Sequence, residues 1–134
     1  MNVRARFRGE LQDALISVTD DLLDRAVELS SGDKSSRELA RLGHPYARRH
    51  GSPKLDPAII NDQSGRFRDA WRAMPPSVVG RQAVVTLGND TPYAPHLFGG
   101  TKTMFARPLP DRAAEGLEER VADAIASAMR ATLR

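Results

Sequence analysis

The 134-residue sequence predicts an α+β fold: a long N-terminal helix, short helices, and a small antiparallel sheet with a C-terminal helix packed on it. Three observations carry this expectation. Apolar residues recur at helical spacing near both ends, and two β-branched runs flank one glycine in the middle. Aromatic content is only 5%, which leaves the core to Leu, Val, Ala and Ile and favours helices on a small sheet over a β-sandwich. The length suits a single domain over residues 1–134.

Leu11, Leu15, Val18, Leu22, Ala26 and Leu29 recur at three- and four-residue steps, which predicts a helix of about twenty residues between Gly9 and Gly32. Asp20, Asp21, Asp24, Arg25 and Glu28 lie mostly off that stripe and form a solvated face. Ser35 and Glu38 have capping-box spacing, so a second, short helix is expected from Ser35 to Gly43. Pro45, Pro53 and Pro57 then interrupt any regular pattern, which predicts an extended loop at about 44–62.

Ser64 to Ala73 suggests another short helix with Phe67, Ala70 and Trp71 on one side, ended by Pro75 and Pro76. Val78, Val79 and Ala83 to Leu87 flank Gly80-Arg81, a hairpin turn with glycine first. The Gly88-Asn89-Asp90 cluster closes the second strand, and Thr103 to Arg107 is expected to add an edge strand before Pro108 and Pro110. From Asp111 onward, Ala114, Leu117, Val121, Ala124, Ile125, Ala128, Met129 and Leu133 keep a helical period.

Composition narrows the function classes. No apolar run approaches the length of a membrane span, and the N-terminus runs into charge, so a soluble chain with no membrane partner is expected. The absence of cysteine removes disulfides, thiolate metal sites and thiol catalysis together. A net charge of +3 and a pI near 9.8 arise largely from arginine, with Arg4, Arg6 and Arg8 near the start and Arg48-Arg49 further on. Seventeen acidic residues are interspersed, so a basic nucleic-acid-binding module stands as an alternative and not as the leading reading.

The catalytic signatures are weak. His44, His50 and His96 show no HExxH spacing, and two of them stand in proline-flanked stretches without neighbouring carboxylates. No GxSxG occurs, and Ser64-Gly65 reads as a helix start. Gly99-Gly100-Thr101-Lys102 lacks the spacing of a phosphate loop. The expectation is therefore no catalytic, cofactor-binding or metal-binding residues and a non-enzymatic role, with a small hydrolase or metal enzyme as the opposing class.

The segment Thr91 to Pro110 is the most informative. It places Tyr93, His96, Phe98, Gly99, Gly100, Phe105, Arg107 and Pro108 between a strand and a helix, as a contact loop at about 91–110. In this reading Tyr93, Phe98 and Phe105 are apolar anchors, and Arg107 pairs with a carboxylate or backbone carbonyls; the equal alternative is that Arg107-Pro108 only orients the last helix. The glycines permit close approach. A second stretch, His44-Pro45-Tyr46-Ala47, echoes Thr91-Pro92-Tyr93-Ala94 by setting a tyrosine after proline.

The stretch PYAPHLFGGTKTMFARPLPD resembles the YA-x-x-H/E-x-G motif and the following ARPF-like step of small tail-completion and virion morphogenesis proteins of long-tailed bacteriophages. Upstream, Ile59 to Ala70 is similar to that family's apolar residue and TGRLRDS-type segment. Leu109 stands where an aromatic is usual, Ser64 where threonine is common, and Phe98 precedes a doubled glycine. The resemblance covers Ile59 to Arg134, and the N-terminal helix only by order of elements.

The resemblance implies a structural protein of the virion neck, made in the host cytoplasm, that completes the tail or joins head to tail as a subunit of a homo-oligomeric ring. A hexamer is the expected ring. Its implied partners are copies of itself and adjoining neck and tail proteins such as the stopper, the terminator or the tail tube, with DNA contact only in the channel. A tail terminator or head-closing stopper is the nearest alternative.

Overall fold

The computed structural model describes residues 2–41, 56–80, 82–100 and 106–134. The fold is α+β, in the order α1 (Val3–Leu29), α2 (Ser36–Arg41), α3 (Arg66–Asp69), β1 (Trp71–Val79), β2 (Gln82–Asn89), α4 (Ala94–Gly99), α5 (Leu109–Ala113) and α6 (Leu117–Thr132). Gly43, Arg81, Phe105 and most of the predicted 44–62 loop, including His44, Tyr46 and His50, lie outside the described residues. The chain packs as two compact units. One comprises Met1–Leu23, Ala73–Gly88 and Ala114–Arg134, the other Asp24–Arg72 and Asn89–Ala113.

Helix α1 starts earlier than the apolar stripe predicts and runs through Gly9. Asn2 explains the start: its Oδ1 accepts the N–H of Ala5 at 2.8 Å while its carbonyl accepts that of Arg6, the two bonds of an N-cap. One interior glycine costs only about 1 kcal/mol, too little to stop a capped helix of this length.

In the first unit Leu11, Leu15 and Val18 of α1 and Ala124 and Ala128 of α6 form the core, with Phe7, Leu117 and Val121 packed against it. The hairpin adds Val78, Ala83 and Val85 to the same cluster. The alanines of α6 allow this close approach, and each buried Leu or Val contributes about 1.5–3 kcal/mol. Arg6 donates to the carbonyl of Ala131 at 3.1 Å, and Arg120 lies 3.9 Å from Asp21, so α1 and α6 meet along antiparallel lengths.

The hairpin turns at Gly80, whose φ of 60° suits a primed turn. Strand β2 alternates cleanly between half-buried Ala83, Val85, Leu87 and exposed Val84, Thr86. Two expectations are corrected here. Trp71 and Ala73 belong to β1 and not to a helix, and Pro75-Pro76 stand inside that strand instead of ending the preceding element. The inward positions move from 71 and 73 to 76 and 78, a phase slip at the prolines, which withhold ladder N–H groups and are tolerated because β1 is an edge strand among the described residues.

In the second unit the end of α1 pairs with the segment before α3. Ser31 and Asn61 form an antiparallel bridge, flanked by Ile60 N–H to Leu29 at 2.8 Å and Gly32 N–H to Ile60 at 3.1 Å. Helix α2 begins as the Ser35-Glu38 spacing predicts, with Ser35 Oγ accepting the N–H of Glu38 at 3.2 Å. Arg112 of α5 reaches Asp56 at 3.0 Å, and Arg25 of α1 donates to the Arg112 carbonyl at 2.9 Å.

The predicted final helix is two. Gly116, with φ 75°, separates α5 from α6, because a left-handed residue cannot continue an α-helix. Asp111 stands in the first turn of α5, where an acid complements the helix dipole.

Candidate interaction site

The segment expected to be one contact loop is partly helical. Helix α4 occupies its centre, with Tyr93 at the N-cap and Pro95 in the first turn, where a missing N–H costs nothing. Gly100 ends α4 at φ 77°, and its N–H closes on the His96 carbonyl at 2.9 Å. The backbone then returns, so that Arg107 N–H donates to the Leu97 carbonyl at 2.9 Å. Leu97 and Ala94 are buried and fix the helix, and His96 and Gly99 face outward. The predicted edge strand falls largely on residues outside the description, and the described Ala106 and Arg107 are not in a strand.

Four rings gather from α3, the start of β1 and α4 with its N-cap. Phe67 stacks with Tyr93 at 6.1 Å and meets Trp71 and Phe98 edge-on at 5.7 and 6.0 Å, and Trp71 stacks with Phe98 at 5.9 Å. Such pairs are each worth about 0.5–1.5 kcal/mol beyond burial. Phe67 and Trp71 are buried and Phe98 is half-buried, whereas Tyr93 retains 36% of its surface. The cluster thus has a solid interior and one ring on the outside.

The two motifs that sequence analysis singled out are joined by polar bonds as well. Asn89 Nδ2 donates to the Phe67 carbonyl at 2.8 Å, while its Oδ1 accepts both the N–H and the hydroxyl of Thr91. Asp62 Oδ2 accepts the N–H of Arg68 at 2.9 Å in the first turn of α3, and Gly65 takes the left-handed N-cap position at φ 81°. Asn61 Oδ1 accepts the N–H of Lys34, and Gln63 Nε2 donates to the Lys34 and Asn61 carbonyls. The Asn-Asp-Gln-Ser-Gly run is therefore a folding device: each polar side chain satisfies backbone that no regular element satisfies.

No family model, curated protein or solved structure matches the chain.

Of the eight predicted contact residues, Tyr93, His96 and Gly99 are on the surface, and Phe98, Gly100 and Pro108 are half-buried. Phe105 lies outside the described residues. Arg107 is only 2% exposed, with Nε and Nη2 closed off from solvent. It is enclosed within the second unit. Pro108 acts alongside it: its carbonyl accepts the N–H of Arg112 and opens α5.

Sequence reasoning missed Asn89 and Thr91 as the residues that tie the two motifs together. The Asn-Asp cluster after β2 signals a turn in sequence, but not the carbonyl of Phe67 as its target. Among the described residues no group of three His, Asp or Glu side chains is placed to hold a metal ion, and no helix is long and apolar enough to cross a membrane.

Proposed function

We propose that this chain is a structural subunit of the neck of a long-tailed bacteriophage, completing the tail or joining head to tail as part of a ring. One observation supports the reading beyond the sequence resemblance. The two resembling motifs, Ile59 to Ala70 and Pro92 to Asp111, converge in one aromatic cluster, with Phe67 of the first stacked on Tyr93 of the second. They act as one device that presents Tyr93 and His96 outward from a braced interior, the arrangement expected of an assembly contact. The same geometry serves a tail terminator or a head-closing stopper equally well.

The test is electron microscopy of lysates from the parent phage with this gene disrupted. Full heads beside free tails support the joining role, and normal infectious particles overturn it. Complementation with Tyr93→Ser then asks whether this surface is the one used: a folded variant that restores infectivity fully removes Tyr93 from the assembly contact.

A further inference from the structure

An apolar groove of about 230 Å³ opens in the first unit between the start of α1 and the end of α6, lined by Val3, Phe7, Met129, Thr132 and Leu133. Val3, Met129 and Leu133 are 66%, 51% and 76% exposed, which gathers apolar surface in one place. Each of the four apolar residues is followed directly by an exposed arginine: Arg4, Arg8, Arg130 and Arg134. The first turn of α1 contains no acid, although positive charge there opposes the helix dipole. A groove so built suits an apolar side chain flanked by carboxylates.

The same unit carries that complement. Ile16 is 46% exposed in the middle of α1, and Asp13 and Asp20, at i−3 and i+4, flank it on one helix face. Ile16 lies thirteen residues beyond Val3 (16 minus 3), about 20 Å along the helix, so it cannot fill the groove of its own chain.

We infer that the groove receives the Ile16 face of a second copy, giving a head-to-tail contact between subunits. Such a heterologous contact closes into a ring when its rotation permits. The inference rests on the ring reading and supplies one of its interfaces.

The experiment is sedimentation velocity on the full chain at low and at high salt, with two double variants. Arg4→Glu with Arg130→Glu reverses the groove rim, and Asp13→Arg with Asp20→Arg reverses the insert. All four positions are exposed, and unchanged helical circular dichroism confirms folding.

The expected result is salt-weakened self-association of the unaltered chain, reduced about tenfold or more in either variant alone. An equimolar mixture of the two variants should restore it, because each supplies the charge the other lacks. A chain that stays monomeric overturns the inference, as does association indifferent to salt or a mixture that fails to recover. Duplex DNA binding lost on groove reversal, with self-association unchanged, assigns the arginines to phosphates and overturns it too. Free tails in the disrupted phage together with a monomeric chain would remove this contact and leave the neck reading standing.

Discussion

The indole N–H of Trp71 donates to Ser30 Oγ at 2.8 Å, and that hydroxyl donates onward to the Ala26 carbonyl at 2.7 Å. Both residues are buried, so the bond joins the end of α1 to the start of β1 with no water to replace it. Ser30→Ala removes one partner and strands the indole donor. The expected loss is about 1–3 kcal/mol, read from urea unfolding followed by the fluorescence of Trp71, the single tryptophan.

Gly32 has no room for a side chain. A Cβ there would stand 2.8 Å from Ile59 Cγ2 and meet the Asn61 side chain as well, within the bridge that pairs Ser31 with Asn61. Gly32→Ala should destabilise by about 1–3 kcal/mol, because the bridge must shift to admit the methyl group. Gly9, in the interior of α1, has nothing within 4 Å, so Gly9→Ala should instead raise stability by about 0.5–1 kcal/mol. Paired thermal melts check both signs.

Asp62 caps α3 from six residues away. Asp62→Ala should cost about 1 kcal/mol, and Asp62→Asn, which keeps an acceptor, less than half as much. Equal losses in the two variants would show that the carboxylate charge, and not the hydrogen bond, is what α3 requires.

The Asp56 carboxyl is held below its usual value, chiefly by the N–H of Ala58 donating to it at 2.9 Å; burial opposes this, and Arg112 adds to the lowering. A depressed folded-state value means the contribution to stability is present above the unfolded value. It is lost as pH falls through the folded one. Denaturant midpoints should therefore fall below about pH 4, and Asp56→Asn should flatten that acid limb. The effect will be modest, since the pair is about one-third exposed.

Arg107 and His96 separate folding from contact. Arg107→Ala empties a buried position and should lower the unfolding free energy by about 2 kcal/mol or more, whereas His96→Ala, on the surface of α4, should stay within about 0.5 kcal/mol. Loss of assembly in an Arg107 variant thus reports instability first. Loss of assembly in a His96 variant with an unchanged midpoint reports the contact.

Local pattern by itself determined the α+β class, the apolar stripe of α1, the hairpin around Gly80, the cap of α2 by Ser35 and the apolar period of α6. These depend on residues within one or two turns of each other, where spacing alone decides which side chains share a face. Even the early start of α1 is encoded locally, in Asn2, a capping residue that precedes the stripe beginning at Leu11.

Only the tertiary structure decided that Trp71 begins a strand, that α4 forms inside an expected loop, and that Arg107 is enclosed. Trp71 is placed by a hydroxyl forty-one positions away, α4 by burial of Leu97 and by the returning N–H of Arg107. In the sequence Asn89 belongs to a strand-closing cluster, and Asn61 and Asp62 only to the resembling Ile59 to Ala70 stretch. Their carbonyl and N–H targets exist only once distant backbone is brought within about 3 Å, a condition set by packing and not by spacing along the chain.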